Sequence, residues 1–89
     1  MAWTIELAGT AVRQLERLDK ETARRMRNFL RNRLARVENP RSIGAALQGQ
    51  ALGEFWKYRV GDYRLIARIE DDRLLILIVK IGHRSKIYR

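Results

Sequence analysis

Two strand-like segments carry the residues that could do chemistry. Lys57 and Arg59 stand two apart in Phe55-Trp56-Lys57-Tyr58-Arg59-Val60, and Arg64 and Arg68 follow in Tyr63-Arg64-Leu65-Ile66-Ala67-Arg68-Ile69. Gly61-Asp62 between the segments is a two-residue hairpin signal. Alternation puts Lys57 and Arg59 on one face and Trp56, Tyr58 and Val60 on the other; Arg64 and Arg68 likewise point away from Tyr63, Leu65, Ala67 and Ile69. With that loop, Val60 faces Tyr63 and Arg59 faces Arg64 in a non-hydrogen-bonded pair, where Cα atoms approach to about 4.5 Å. Two opposed arginines repel, and Lys57 adds a third charge to the same face. Either an anion sits between them, or the long side chains splay into water and screening makes the repulsion small. An anion held there would be a phosphate or carboxylate, which the planar arginine fork grips with two bonds. A lysine crowded by cations is pushed toward its neutral form, which can take a proton from a hydroxyl.

The segment Lys80-Ile81-Gly82-His83-Arg84-Ser85-Lys86-Ile87-Tyr88-Arg89 joins the one histidine to further cations and a ring. An aromatic among bases suits stacking on an unpaired nucleobase. Taken singly, Tyr88 reads equally as a hydrophobic peg and His83 as an ordinary surface residue. Gly82 is expected to end the strand before it.

The whole composition leans the same way. Nineteen Lys and Arg against ten Asp and Glu leave a net charge of +9 on 89 residues, and 46% of the chain is hydrophobic. That balance fits one small globular domain, 1–89, with a polyanionic partner. Fifteen of the nineteen cations are arginine. There is no cysteine and one histidine, so neither a disulfide framework nor a zinc site is expected. The longest apolar run, Leu74 to Val79, is too short for a membrane span. Met1 to Glu6 does not read as a secretory signal, and a cytoplasmic location is expected.

The elements that must position the cations read as follows. Trp3 to Leu7 alternates as a short strand, and Thr10 is a fair cap for a helix carrying Val12, Leu15 and Leu18. Asp19 caps a second, longer helix, with Ala23, Met26, Leu30, Leu34 and Val37 as its apolar stripe, Phe29 at the edge and Pro40 as its stop. Its other faces carry Arg24, Arg25, Arg27, Arg31, Arg33 and Arg36, a contact surface for phosphate or acidic peptide, or a solvated face. Residues 41–53 read as a loop with one helical turn. The hairpin follows, then a turn at Glu70-Asp71-Asp72, and Arg73 to Lys80 as a central strand covered on both faces. The expected fold is α+β, order β-α-α-β-β-β: a small antiparallel sheet with a mixed edge and an N-terminal two-helix hairpin packed on one face.

The block FWKYRVGDYRLIARI, the acidic turn, the apolar strand and VKIGHRSKIYR together resemble the RelE group of the RelE/ParE toxin superfamily. The connector with Pro40, Leu47 and Gly49 fits too, so the resemblance spans essentially the whole chain. Its specific part is K-x-R in one strand, G-x-Y-R in the next and G-H-R-x-x-x-Y at the end. By motif, Lys57 and Arg59 match the basic strand pair, Arg64 the arginine after the turn, and Arg84 and Tyr88 the C-terminal arginine and tyrosine. Better-known members often carry lysine at the position of Arg59.

The resemblance implies an mRNA interferase, an endoribonuclease that cuts messenger RNA in the ribosomal A site without metal or cofactor. A 2′-hydroxyl would attack the adjacent phosphorus to leave a 2′,3′-cyclic phosphate. Lys57 would be the base, Arg59, Arg64 and Arg84 the phosphate clamp, Tyr88 a ring that stacks on or orients a base, and His83 or an arginine the group that protonates the leaving oxygen. Lys80, His83, Lys86 and Arg68 would bind RNA around them. The implied partners are an acidic, RelB-like antitoxin in a hetero-oligomer, the ribosome and mRNA, with no membrane. ParE-like relatives share the fold but poison DNA gyrase, and a non-catalytic RNA-binding module is a third reading.

Overall fold

The structure is a computed structural model that describes residues 2–47 and 55–87. Strand β1 (Thr4–Leu7) leads through Ala8 into helix α1 (Gly9–Glu16), and helix α2 runs over Lys20–Asn28. A π-helical stretch, Phe29–Leu34, continues α2. A 3₁₀ turn (Pro40–Ile43) and a two-residue strand β2 (Ala45–Ala46) precede the hairpin of β3 (Phe55–Val60) and β4 (Tyr63–Glu70). A 3₁₀ turn (Asp71–Arg73) leads to β5 (Leu75–His83). The sheet order is β1-β5-β4-β3-β2, with β1 parallel to β5 and the other pairs antiparallel. The α+β class, the element order and the mixed edge are those expected, with β2 an addition inside the segment read as loop.

One hydrophobic core joins the helices to one face of the sheet. Met26, Leu30 and Leu34 meet Tyr58, Leu65, Ala67, Ile76, Ile78 and Ile81 there. Residues four apart drift by about 40° per step around a helix of 3.6 residues per turn. In the π-helical stretch the Ala35 N–H bonds the Leu30 carbonyl five residues back, at 3.0 Å, and the wider turn takes up that drift. Leu30 and Leu34 therefore both stay over the sheet, at 6% and 0% exposure. The helix ends at Leu34, well before Pro40, which opens the 3₁₀ turn at a position where a missing N–H costs nothing.

Four local expectations are corrected. Helix α1 starts at Gly9 with Ala8 as its uncapped N-cap residue, so Thr10 lies inside it. The Ala8 N–H is already bound to the Ile78 carbonyl at 2.8 Å, which fixes the chain before Thr10 is reached. Ala11 is the buried residue of this helix, and Val12 is 40% exposed. Strand β5 begins at Leu75, because Leu74 takes a left-handed conformation (φ 48°) after the acidic turn. It is not the central strand and is covered fully only on the helix face, since Leu77 and Val79 are half-buried. The central strand is β4; Leu65, Ile66 and Ala67 are all buried in it, and a register shift against β5 falls between Ile66 and Ala67.

Among the described residues no helix is long and apolar enough to cross a membrane. Chemical denaturation should separate the two apolar helix positions. Leu34→Ala should cost about 2–5 kcal/mol, as for other large-to-small core changes, and Val12→Ala less than about 0.5 kcal/mol.

Candidate active site

The hairpin sets the site. Gly61 occupies the first loop position with φ 61°, a conformation that a side chain would strain. This fixes the pairing Val60 to Tyr63, Arg59 to Arg64 and Lys57 to Ile66. On the next strand Arg64 faces Gly82 and Ile66 faces Lys80. Two cross-sheet rows result on the face away from the helices: Arg59, Arg64 and Gly82 in one, Lys57, Ile66 and Lys80 in the next. Rows two residues apart lie about 6–7 Å from each other. Ile66 between the two lysines is 6% exposed, an apolar residue buried on the charged face.

Arg64 relieves part of the repulsion by folding toward the turn. Its Nη1 donates to the Gly61 carbonyl at 3.1 Å and to the Tyr63 carbonyl at 2.9 Å. Arg84 joins the same tip: its backbone N–H bonds the Asp62 carbonyl at 2.8 Å, and its Nε stands 3.9 Å from Asp62 Oδ1. Both partners of that ion pair are mostly exposed, so it is weak. The structure thus brings Lys57, Arg59, Arg64, Lys80 and Arg84 to one end of one face.

Other candidate residues are placed elsewhere. Arg68 lies four residues up β4 from Arg64, in register with Phe55 and Leu77, and meets Glu70 at 3.5 Å. His83 pairs with Tyr63 and shares its face, the helix side, with the two rings edge-on at 5.5 Å. Its Nδ1 lies 3.2 Å from the Ser85 backbone nitrogen and 2.8 Å from the Ser85 Oγ. Strand β5 runs through Gly82, which does not end it. The glycine makes room for the returning tail, since a Cβ there would lie 3.0 Å from Ile87 Cδ1. Ile87, at 2% exposure, is the peg that docks this tail. Lys86 is exposed on the turn before it, its N–H bound to the His83 carbonyl at 2.9 Å. Tyr88 and Gly49 lie outside the described residues.

The 3₁₀ turn and β2 hold the other side of the site. The buried Tyr58 hydroxyl donates to the Pro40 carbonyl at 2.8 Å. Gly44 presses so close that a Cβ would lie 2.7 Å from the Tyr58 ring and 3.0 Å from the Lys57 carbonyl oxygen. Arg41 grips Asp71 with two bonds of 2.9 and 2.8 Å, and its guanidinium lies 5.8 Å from the Trp56 ring centre. That bond holds the Asp71 carboxyl below its ordinary range. The sequence showed Arg41 and Asp71 as separate charges 30 residues apart, with no signal of the pairing. Two other arginines reach the site from the helix: Arg25, whose guanidinium would stand 3.3 Å from a Cβ at Gly61, and Arg33, which lines a cleft with Lys57 and Arg59.

A family model described as "ParE toxin of type II toxin-antitoxin system, parDE" matches residues 5–88. The chain belongs to the RelE/ParE toxin superfamily. Toxin RelG of Mycobacterium tuberculosis is 33% identical to this toxin over 89 residues, covering 100% of this chain and 99% of RelG. Toxin RelE of the same organism is 32% identical over 85 residues, 96% of this chain and 84% of that protein. Among solved structures, the toxin–antitoxin complex RelBE2 of M. tuberculosis matches with a TM-score of 0.85 at 28% identity, covering 97% of this chain and 95% of that one. The archaeal RelE–RelB complex of Pyrococcus horikoshii matches with a TM-score of 0.76, also at 28% identity, covering 97% and 99%.

Burial pushes the Tyr58 phenol up from 10.0 to about 12. Alkaline titration followed by tyrosinate absorbance should show one group ionising only near that value, missing in Tyr58→Phe. Folding favours the protonated phenol, so its contribution to stability is complete below about pH 10 and is lost as pH rises through about 12.

Proposed function

We propose that this toxin is a ribosome-dependent endoribonuclease that acts in the cytoplasm, and that the charged end of the hairpin face is its active site. The observation that carries the reading is the register that sets Arg59 opposite Arg64, one row from Lys57. A sheet selected for stability alone gains nothing from opposed arginines, whereas a pentavalent phosphate carries the charge that offsets them. Lys57 takes the proton of a ribose 2′-hydroxyl, and that oxygen attacks the adjacent phosphorus. Arg59, Arg64 and Arg84 hold the phosphoryl oxygens as the bond to the 5′ oxygen breaks. The leaving oxygen takes a proton from water, and the products are a 2′,3′-cyclic phosphate and a 5′-hydroxyl. Tyr88 stacks on a flanking base, and Lys80 and Lys86 steer the RNA backbone. His83 and Arg68, placed off this cluster, make outer contacts with RNA.

Arg59 is always charged and cannot replace Lys57 as a base. Alignment by the ribosome supplies what the site lacks in acid–base partners, because positioning alone can carry much of a phosphoryl-transfer barrier. The relatives named RelG and RelE support this reading. The ParE description of the matching family favours the rival, a gyrase poison, and the two differ in what they leave intact.

We also infer an acidic antitoxin as partner. Edge strand β1 borders an apolar groove of about 400 Å³ lined by Trp3, Ile5, Leu7, Leu15 and Leu30, with Arg27 and Arg31 at its rim. An amphipathic acidic segment matches both its apolar floor and its charge. The solved RelBE2 and archaeal RelE–RelB relatives are complexes of this toxin-and-antitoxin kind.

Incubation with translating ribosomes and mapping of RNA ends tests the nuclease. Wild-type protein should leave new ends at codon positions. Lys57→Ala and Arg64→Ala should each lower cleavage by about 10²-fold or more with an unchanged fold. Full cleavage by an Arg64→Ala, Arg84→Ala double variant overturns the site. Intact mRNA with blocked supercoiling identifies a gyrase poison.

A further inference from the structure

The π-helical stretch sends its arginines to opposite sides of the molecule. Arg31 borders the apolar groove at β1, whereas Arg33, two residues on, lines a cleft of about 340 Å³ at the β3 edge. Phe29, Gly44, Lys57 and Arg59 line the same cleft. Among the described residues it is lined by cations from two elements and by no carboxylate. Its aromatic part is already ordered: the Phe29 ring rests against the buried Tyr58 ring at 6.0 Å and 52°, and the Arg33 guanidinium carbon lies 5.9 Å from the Phe29 ring centre. Gly44 lets this wall of the cleft pack directly on Tyr58, because a Cβ there would lie 2.7 Å from the Tyr58 ring.

We propose that this cleft is a second nucleotide subsite, in which Arg33 and Phe29 receive the nucleotide next to the scissile phosphate. The inference rests on the nuclease reading for the identity of the strand, but its binding chemistry is independent of cutting. A nucleotide needs a flat surface for its base and a cation for its phosphate, and the cleft has both within one short helical span. A guanidinium parked over a ring is planar and pre-ordered, so little freedom is lost when a base stacks on it. Lys57 and Arg59 belong to the cleft and to the hairpin rows alike, so a strand leaving the reacting phosphate passes directly into it. An acidic peptide would satisfy the cations and leave the stacking surface unused.

The test uses the whole toxin and a fluorescent RNA trinucleotide carrying 2′-O-methyl groups, which cannot be cut. Arg33 is exposed, so its replacement should leave the fold intact. Arg33→Ala should weaken binding about tenfold and flatten the dependence of log affinity on log salt by about 0.7, the value for one phosphate contact on a single strand. Arg33→Lys should restore the salt slope but not the full affinity, because it keeps the charge and loses the planar stack. Wild-type affinity in Arg33→Ala overturns the subsite. So does an Arg33 dependence seen with an acidic peptide but not with RNA. Arg33-dependent binding together with uncut mRNA on ribosomes supports the subsite while removing the nuclease. Cleavage with Arg33-independent binding removes the subsite alone.

Discussion

The register of one hairpin governs this molecule. A two-residue loop with Gly61 at positive φ places Arg59 against Arg64, and through β4 it places Lys57 and Lys80 on either side of Ile66. Side chains alternate with period two, so a slip of one residue would turn Tyr58, Leu65 and Ala67 out of the core and the cations into it. The core and the charged face are therefore two results of the same pairing. The repulsion that the pairing brings is moderated rather than removed. Arg64 bends onto the carbonyls of the turn, Arg84 lies beside Asp62, and water screens the rest.

The second constraint is the wide turn in the helix. By absorbing the drift of the Met26, Leu30, Leu34 stripe, the π-helical stretch keeps that stripe on the sheet. The basic helix itself has separate addresses, because residues two apart point to opposite sides of a helix. Arg25 reaches the hairpin tip, Arg27 and Arg31 edge the groove at β1, and Arg33 turns to the cleft at β3. The net charge of +9 is thus distributed over surfaces of different chemistry: an apolar groove with a cationic rim, an aromatic and cationic cleft, and an opposed cationic row.

Much of this was legible in the sequence, because period-two alternation and a Gly-Asp loop determine a hairpin without help from distant residues. Arg59 opposite Arg64 followed from these alone. What was not legible depended on contacts between distant segments. Apolar spacing points to Val12 as core, since it cannot tell which of two adjacent residues a sheet will cover, and the sheet covers Ala11. A glycine at the end of an apolar run suggests a terminator, yet the missing side chain of Gly82 serves Ile87, which returns from beyond the strand. His83 joined the cations in sequence but falls on the opposite face, because a strand that continues past Gly82 alternates once more. The Arg41 to Asp71 clamp and the arrival of Arg33 at Lys57 arise only when the connector packs on Tyr58.

The central claim is that the sheet keeps Arg59 against Arg64 at some cost in stability because an RNA phosphate needs both. Arg59→Thr tests it directly, since threonine suits a strand and removes the opposed charge. The measurement is the thermal midpoint of this variant against wild type from low to high salt, read beside its cleavage of mRNA on ribosomes. The account predicts a higher midpoint at low salt, a difference that fades as salt rises, and loss of cleavage. An unchanged or lower midpoint at low salt, with cleavage retained, would contradict it.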